Sequence, residues 1–122
     1  MNDKELSLII PCYNEEENLQ SIFEKLKEII SKNKDIEIIL VNNGSTDNSL
    51  KIMNSLIQES LRNNIILVNV ENNIGYGHGI LSGLKVATAN ILSWTHADMQ
   101  TDPKDILKAF HIFKTEHKCI VK

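Results

Sequence analysis

The chain has 122 residues, of which 42% are hydrophobic, 24% charged and 5% aromatic, and its formal net charge is -3. This length suits one domain whose core is built mainly from aliphatic side chains. Acidic and basic residues are interspersed, which argues against the clustered basic face of a nucleic-acid-binding protein. No apolar run reaches the roughly 18 residues of a membrane span, and no signal peptide opens the chain. We therefore expect a cytoplasmic chain without a membrane span, which could still work at the inner face of a membrane.

Short apolar runs alternate with amphipathic segments along the chain. Strands are predicted at residues 6–11, 36–41, 65–70 and 90–95, and a fifth is predicted to start near 119. Asn14 is expected to cap the first helix, the second helix to end near 59, and two more helices to span 78–87 and 104–115. This repeated strand–helix order predicts an α/β fold with a parallel sheet, right-handed connections and helices on both faces.

Polar loops follow the four predicted strands. They span residues 13–15, 42–47, 73–79 and 96–102. The carboxyl ends of parallel strands meet at one edge of the sheet, which is where open α/β sheets bind ligands, so we expect these loops to form one site. The two cysteines, Cys12 and Cys119, show no metal-ligand spacing and are expected to be reduced.

The third loop is rich in glycine but does not have the spacing of a dinucleotide-binding motif. Gly75, Gly77 and Gly79 follow a strand and precede a helix, whereas the G-x-G-x-x-G motif belongs after the first strand. A nicotinamide-dependent oxidoreductase would also need an acidic residue for the ribose at the end of the second strand, where this chain has Asn42 and Asn43. The pattern therefore favours a tight turn packed against the sheet.

The fourth loop holds the residues best suited to a metal ion. His96 and Asp98 lie two apart, so in an extended segment both side chains could face one ion, although a hydrogen-bonded structural pair is the alternative. An imidazole with a carboxylate suits Mn²⁺, and a divalent ion would neutralise a diphosphate. Asp102 is expected to cap the helix that starts at Pro103 and Lys104. One side of that helix is apolar and carries Ile106, Leu107, Phe110 and Phe113.

Four motifs occur in order along the chain. They are Ile-Pro-Cys-Tyr-Asn-Glu-Glu at 10–16, Val-Asn-Asn-Gly-Ser-Thr-Asp at 41–47, Asn-Ile-Gly at 73–75 with Gly83-Leu84, and Ala-Asp-Met-Gln at 97–100. Together they resemble the motifs of family 2 glycosyltransferases, the GT-A fold group that includes dolichyl-phosphate mannosyltransferase-like enzymes. The resemblance implies a Rossmann-like GT-A half that binds a nucleoside diphosphate sugar with Mg²⁺ or Mn²⁺. It also implies a role in cell-wall or polysaccharide biosynthesis.

By this resemblance, ten residues match donor-binding or metal-binding positions. The segment that holds the nucleoside is matched by Pro11, Tyr13 and Glu15. The loop that meets the base and ribose is matched by Asn42, Asn43 and Asp47, and the third motif adds Asn73 and Gly75. Asp98 matches the last carboxylate of the family's D-x-D motif, at the metal and diphosphate position, and His96 replaces its first carboxylate.

Two departures from the family pattern bear on the donor and the metal. Asn42 and Asn43 replace the usual two aspartates, and an amide both donates and accepts hydrogen bonds, which matches the mixed edge of uracil or thymine better than the paired donors of guanine. A UDP- or dTDP-sugar is therefore expected over a GDP-sugar. His96 in place of an aspartate should weaken metal binding as the pH drops through its titration.

The acceptor half of the enzyme is not recognisable in these residues. Residues 1–122 are expected to form a single donor-binding domain of a C-terminally truncated glycosyltransferase, with an unidentified catalytic base. The acceptor, which could be a polyprenyl phosphate or a glycan, is also open. The alternative is a non-catalytic nucleotide-binding or interaction module of the same fold.

Overall fold

The computed structural model describes residues 4–60 and 64–95. Within them, four strands alternate with three helices. The strands are β1 (Leu6–Cys12), β2 (Ile36–Asn43), β3 (Ile65–Val70) and β4 (Ile91–Trp94), and the helices are α1 (Leu19–Lys32), α2 (Ser49–Ser60) and α3 (Tyr76–Leu84). Every strand and helix predicted between residues 4 and 95 is present. The predicted elements at 104–115 and near 119 lie outside the described residues, as do His96, Asp98 and Asp102.

The four strands form one parallel sheet in the order β3-β2-β1-β4. β1 is central, since Leu6 is paired in register with Ile36 of β2 and with Ile91 of β4. β3 lies beyond β2, with Ile65 paired with Ile38. Because all strands run in the same direction, their carboxyl ends lie at one edge of the sheet, as predicted.

Helices cover both faces of the sheet. Side chains alternate between faces along a strand, so Leu8 and Ile10 of β1 lie on the face covered by α1 and α2, which we call the α1/α2 face. Ile9 lies on the opposite face, the α3 face, where it packs with Ile39 and Leu84. The α1/α2 face is the larger core, and it takes the predicted apolar stripe of α1, namely Leu19, Ile22, Phe23, Leu26, Ile29 and Ile30.

The start of α1 differs from the prediction. Asn14 does not cap this helix, because its φ of 52° lies in the left-handed region and its side chain is bonded elsewhere. The helix begins at Leu19, and its N-cap residue is Asn18. The side chain of Asn14 instead binds the loop after β2, and this contact shapes the site described below.

Cys12 is a free, buried cysteine. Burial, with a smaller contribution from the charge of Glu15, raises the pKa of its thiol to about 12, so it is protonated at neutral pH and is not a nucleophile there. None of the described helices is long and apolar enough to cross a membrane.

Candidate functional site

Three loops meet at the carboxyl edge of the sheet. We call them loop 1 (residues 13–18, after β1), loop 2 (residues 44–48, after β2) and loop 3 (residues 71–75, after β3). Each one begins where a strand ends, and direct hydrogen bonds or backbone contacts join loop 2 to both of the others. The loops therefore form one surface and not three independent segments.

Asn14 connects loop 1 to loop 2 through hydrogen bonds. Its Oδ1 accepts the backbone N–H of Thr46 at 2.7 Å and of Asp47 at 3.3 Å, and its Nδ2 donates to Thr46 Oγ1 at 3.2 Å. Its own backbone N–H donates to Ser45 Oγ at 3.0 Å. Asparagine is one of the few residues other than glycine that adopt positive φ readily, so it can place its amide under loop 2.

Asp47 makes a second connection between the same loops. Its Oδ1 accepts the N–H of Ser49 at 2.9 Å, and its Oδ2 accepts the N–H of Glu16 at 3.3 Å. Burial alone would raise the pKa of Asp47, but hydrogen bonds from the Ser49 side chain and from backbone N–H groups of Ser49, Glu16 and Asp47 itself lower it below its usual value. Asp47 is therefore ionised at neutral pH, with both oxygens bonded inside the protein.

Gly44 brings loop 2 against loop 3. Its φ is +70°, and a Cβ at this position would lie 2.2 Å from the backbone nitrogen of Asn73 and 2.7 Å from the carbonyl carbon of Asn72. Both the dihedral angle and the missing side chain are required, because the obstructing atoms are backbone. This contact holds the end of β2 close to the turn that leads into α3.

Asn43 lies under the start of α3 and is only 3% exposed. Its Nδ2 donates to the carbonyl of Gly75 at 3.2 Å. A Cβ at Gly79 would lie 2.7 Å from the same Nδ2, so glycine is needed there for the helix to pack this close. The N–H of Gly75 donates to Asn73 Oδ1 at 2.9 Å. The structure therefore brings together three of the predicted donor-binding residues, and it leaves Asn43 Oδ1 buried without a partner.

Asn42 is also 3% exposed, and it lies on the other face of the sheet. Its Nδ2 donates to Asn69 Oδ1 at 2.8 Å, while its Oδ1 is buried without a partner. A buried carbonyl oxygen without a donor costs about 1–3 kcal/mol, so such groups in folded proteins are normally satisfied.

The other predicted residues take varied positions. Pro11 is buried near the end of β1, Tyr13 is 48% exposed at the rim, and Glu15 accepts a hydrogen bond from Asn18 at 3.2 Å. Sequence reasoning missed the roles of Gly44 and Asn69. The only local signal for Gly44 is its position after a strand, and the signal for Asn69 is a polar residue inside an apolar run.

The predicted metal ligands are not part of this geometry. His96 and Asp98 lie outside the described residues, and within residues 4–60 and 64–95 no group of three or more His, Cys, Asp or Glu could hold a metal ion. The last residue described, Thr95, is buried, and its N–H donates to the carbonyl of Ile9 at 3.1 Å. The chain therefore leaves β4 beside β1, at the edge where the three loops meet.

Comparison with known proteins identifies the family. The model for "Glycosyl transferase family 2" matches residues 7–122. The chain belongs to glycosyltransferase family 2. This confirms the resemblance read from the four sequence motifs. As a family 2 glycosyltransferase chain, it is part of an enzyme family, and its parallel sheet with helices on both faces is the GT-A arrangement.

Two curated relatives agree with this assignment. The glycosyltransferase chain is 38% identical over 101 residues to an uncharacterized glycosyltransferase of Synechocystis sp., covering 82% of this chain and 31% of the relative. It is 32% identical over 102 residues to the undecaprenyl-phosphate 4-deoxy-4-formamido-L-arabinose transferase of Proteus mirabilis, covering 83% and 31%. The chain thus spans about a third of the length of these relatives.

Two solved structures show the same fold at low sequence identity. The mannosyltransferase PcManGT of Pyrobaculum calidifontis, in complex with GDP-Man and Mn²⁺, superposes with a TM-score of 0.74 at 23% identity, covering 84% of this chain and 30% of that one. TarS 1-349 of S. aureus, in complex with UDP, gives a TM-score of 0.75 at 22% identity, covering 93% and 33%. The fold of this glycosyltransferase chain is therefore the one found in both proteins.

The connection between loops 1 and 2 can be tested at Asn14. Asn14→Gly keeps the positive φ accessible and removes only the side-chain hydrogen bonds, so it should cost about 1 kcal/mol of unfolding free energy. Asn14→Ala also forces alanine into the left-handed region and should cost about 2 kcal/mol. Urea unfolding of both variants measures the difference. Equal losses would show that backbone strain is irrelevant here, and no loss in either would contradict the role of Asn14.

Proposed function

We propose that this chain binds the nucleoside diphosphate part of a sugar donor at loops 1–3 and supplies the donor-binding part of a sugar-transferring enzyme. The observation that carries the proposal is the joined loop surface at the carboxyl edge, with the buried and unpartnered oxygens of Asn42 and Asn43 at the strand ends. In open α/β sheets this edge is where ligands bind. Family membership supports the reaction class, transfer from a nucleotide sugar.

We further propose that the base is uracil or thymine. The nitrogen of Asn43 already donates to Gly75, so its free group is a single carbonyl oxygen. One acceptor suits the single N3–H of uracil, whereas the N1–H and N2–H₂ donors of guanine suit a carboxylate that accepts two bonds. The fold does not decide this point, because PcManGT was solved with GDP-Man and TarS with UDP.

A divalent ion, Mn²⁺ or Mg²⁺, is proposed to bind between the diphosphate and the side chains of His96 and Asp98. The described residues offer no acidic cluster, so one or two ligands from the fourth loop and the phosphates themselves would have to hold the ion, as is common for Mg²⁺. Support comes from the Mn²⁺ in the PcManGT complex and from the position of Thr95 beside β1. When bound, the ion would neutralise charge on the leaving diphosphate.

The acceptor is proposed to be a polyprenyl phosphate or a glycan. The name of the Proteus mirabilis relative, an undecaprenyl-phosphate transferase, supports the first of these. Such an acceptor would place the reaction at the inner face of a membrane. Since the chain spans about a third of its relatives, the acceptor site and the catalytic base are proposed to lie in the remainder of a longer enzyme.

Nucleotide titration tests the proposal. We expect UDP to bind about tenfold more tightly than GDP in calorimetry with Mn²⁺ present, because one well-placed hydrogen bond is worth about 1.4 kcal/mol. Asn43→Asp should shift the preference toward GDP, and the ratio of the UDP and GDP affinities is the readout, because the variant also loses the hydrogen bond to the Gly75 carbonyl. Asn54→Asp, an exposed asparagine on α2, adds the same charge away from the loops and is the matched control.

Each outcome of the titration is decisive. Equal or tighter binding of GDP to the unmodified chain would overturn the base assignment and leave the donor site standing. No binding of either nucleotide would overturn the proposed function itself. Binding of UDP without turnover is expected of this chain alone, because the acceptor site and the base are proposed to lie in the remainder of a longer enzyme. Absence of turnover of a UDP-sugar by that longer enzyme, with acceptor present, would identify a binding module and contradict the proposed catalysis.

A further inference from the structure

The outer edge of β3 has no strand partner among the described residues. Within residues 4–60 and 64–95, β3 pairs only with β2 and is the last strand of the sheet on that side. The two helices joined to it lie on opposite faces, α2 on the α1/α2 face and α3 on the α3 face, so neither runs along this edge. The edge therefore presents backbone hydrogen-bonding groups that another strand could use.

The ladder with β2 shows which backbone groups of β3 point outward. The N–H of Ile38 donates to the carbonyl of Asn64 at 2.8 Å, and Ile38 is in register with Ile65. Alternate residues of an edge strand direct both backbone groups at the neighbouring strand, so the even-numbered residues of β3 bond to β2. Ile65, Leu67 and Asn69 consequently direct their N–H and C=O groups at the open edge.

β3 lacks the features that usually prevent an edge strand from pairing. Its six residues, Ile65–Val70, include no charged residue and no proline. Ile66 is in register with Ile39 on the α3 face, where it is 37% exposed. An uncharged, apolar edge strand of this length is a surface suited to strand pairing.

The neighbouring side of α2 is also uncharged. Lys51 is the only charged residue between positions 49 and 58, and it lines the groove between α2 and α1. The helical repeat of about 3.6 residues places Leu50 and Ile57, both half-buried, on the side of α2 away from α1, which is the side above the edge of β3. Charged residues are depleted at the centre of protein interfaces, so this composition favours contact with another protein surface.

We propose that two copies of the chain associate through β3, as antiparallel edge strands related by a two-fold axis at Leu67. In this register Leu67 faces its counterpart, and Ile65 faces Asn69 of the second copy, so all three outward-directed residues exchange hydrogen bonds. Ile66 lies opposite Val68 of the second copy, and such apolar, β-branched pairs stabilise sheets. Both copies use the same surface, so the association closes at a dimer.

The dimer leaves both proposed nucleotide sites open. Antiparallel pairing places the carboxyl edge of one sheet next to the amino edge of the other, so loops 1–3 of the two copies lie at opposite ends of the shared sheet. Neither copy covers the loops of the other. The proposal goes beyond the nucleotide-sugar assignment and does not depend on it, and nucleotide affinity should be the same in monomer and dimer.

Sedimentation of the full chain over a range of concentrations tests the association. We expect a weak monomer–dimer equilibrium, because one strand pair gives a small interface. Ile66→Lys replaces the apolar pair on both sides of the axis and brings two like charges together, so it should raise the dimer dissociation constant by about tenfold or more. Val86→Lys is the matched control, since Val86 is 39% exposed and lies outside β3. Circular dichroism should be unchanged in both variants, which separates lost association from lost folding.

Disulfide formation tests the register. Chains with Ile66→Cys and chains with Val68→Cys, both in a Cys119→Ser background, are mixed and oxidised. Facing residues of a non-hydrogen-bonded pair have Cα atoms about 4.5 Å apart, which suits a disulfide, whereas position 66 of one copy lies about 7–8 Å diagonally from position 66 of the other. We therefore expect the mixed disulfide to form faster than either symmetric one.

Several results would overturn the proposal. A monomer at every concentration up to about 100 μM, where weak interfaces associate, would assign the edge of β3 to a segment of the same chain. Equal weakening by Ile66→Lys and Val86→Lys would place the interface elsewhere, and assemblies larger than a dimer would contradict a closed two-fold contact. Symmetric disulfides that form as fast as the mixed one would contradict pairing centred on Leu67.

Discussion

Replacing Gly44 by alanine is expected to lower the unfolding free energy by about 3 kcal/mol, since two penalties add. The first is the φ of +70°, which costs a residue with a Cβ about 1–2 kcal/mol. The second is the collision of that Cβ with the backbone of Asn73, at 2.2 Å. Backbone cannot rotate away as a side chain does, so loops 2 and 3 would have to separate. Urea unfolding and UDP titration should both show a loss.

Gly77→Ala is the matched control for this prediction. Gly77 lies in α3, and a Cβ added there would meet nothing within 4 Å. Alanine has the higher helix propensity, so this variant should be neutral or up to about 1 kcal/mol more stable. Similar losses in Gly44→Ala and Gly77→Ala would mean that general glycine effects dominate. The close contact between loops 2 and 3 would then not stabilise the fold.

The strands were predictable because each is a short apolar run bounded by turn-forming residues. β3 occupies the predicted residues 65–70, while β1 and β2 extend past the predicted ends by one and two residues. The extension of β2 consists of Asn42 and Asn43, which continue the ladder by pairing with Asn69 and Val70 of β3. No local pattern encodes that pairing. Pairing with β3 extends β2 by Asn42 and Asn43, and both side chains are buried as a result.

The loop contacts were not predictable for a related reason. Asn14 was expected to cap a helix because such caps are local, but its side chain binds backbone 32 and 33 positions further along the chain. Gly44 likewise fits against a segment near Asn73, which only the finished sheet brings close. The edge of the sheet that carries the site could be inferred from strand order alone. Its internal contacts depend on tertiary structure.

Glu37→Ala is expected to cost about 3 kcal/mol, although this residue lies at the end of the sheet opposite to the loops. Glu37 is 5% exposed and sits inside β2. Its carboxyl group accepts hydrogen bonds from Ser7 Oγ at 2.5 Å, from the Thr88 N–H at 2.8 Å and from Thr88 Oγ1 at 2.9 Å. Ser7 Oγ in turn accepts a hydrogen bond from the N–H of Ala89 at 3.1 Å. Alanine would remove these hydrogen bonds from a buried site and open a cavity.

A cycle with Ser7→Ala separates the hydrogen bonds from the lost volume. If Glu37 acts through this network, removing the Ser7 hydroxyl should cost much less in the Glu37→Ala background than in the unmodified chain. Glu24→Ala, an exposed glutamate on α1, is the control and should change stability by less than about 0.5 kcal/mol. Additive losses would mean that packing alone carries the effect. Non-additive losses would show that a buried carboxyl group anchors the connection from α3 to β4, and with it the strand that leads to His96 and Asp98.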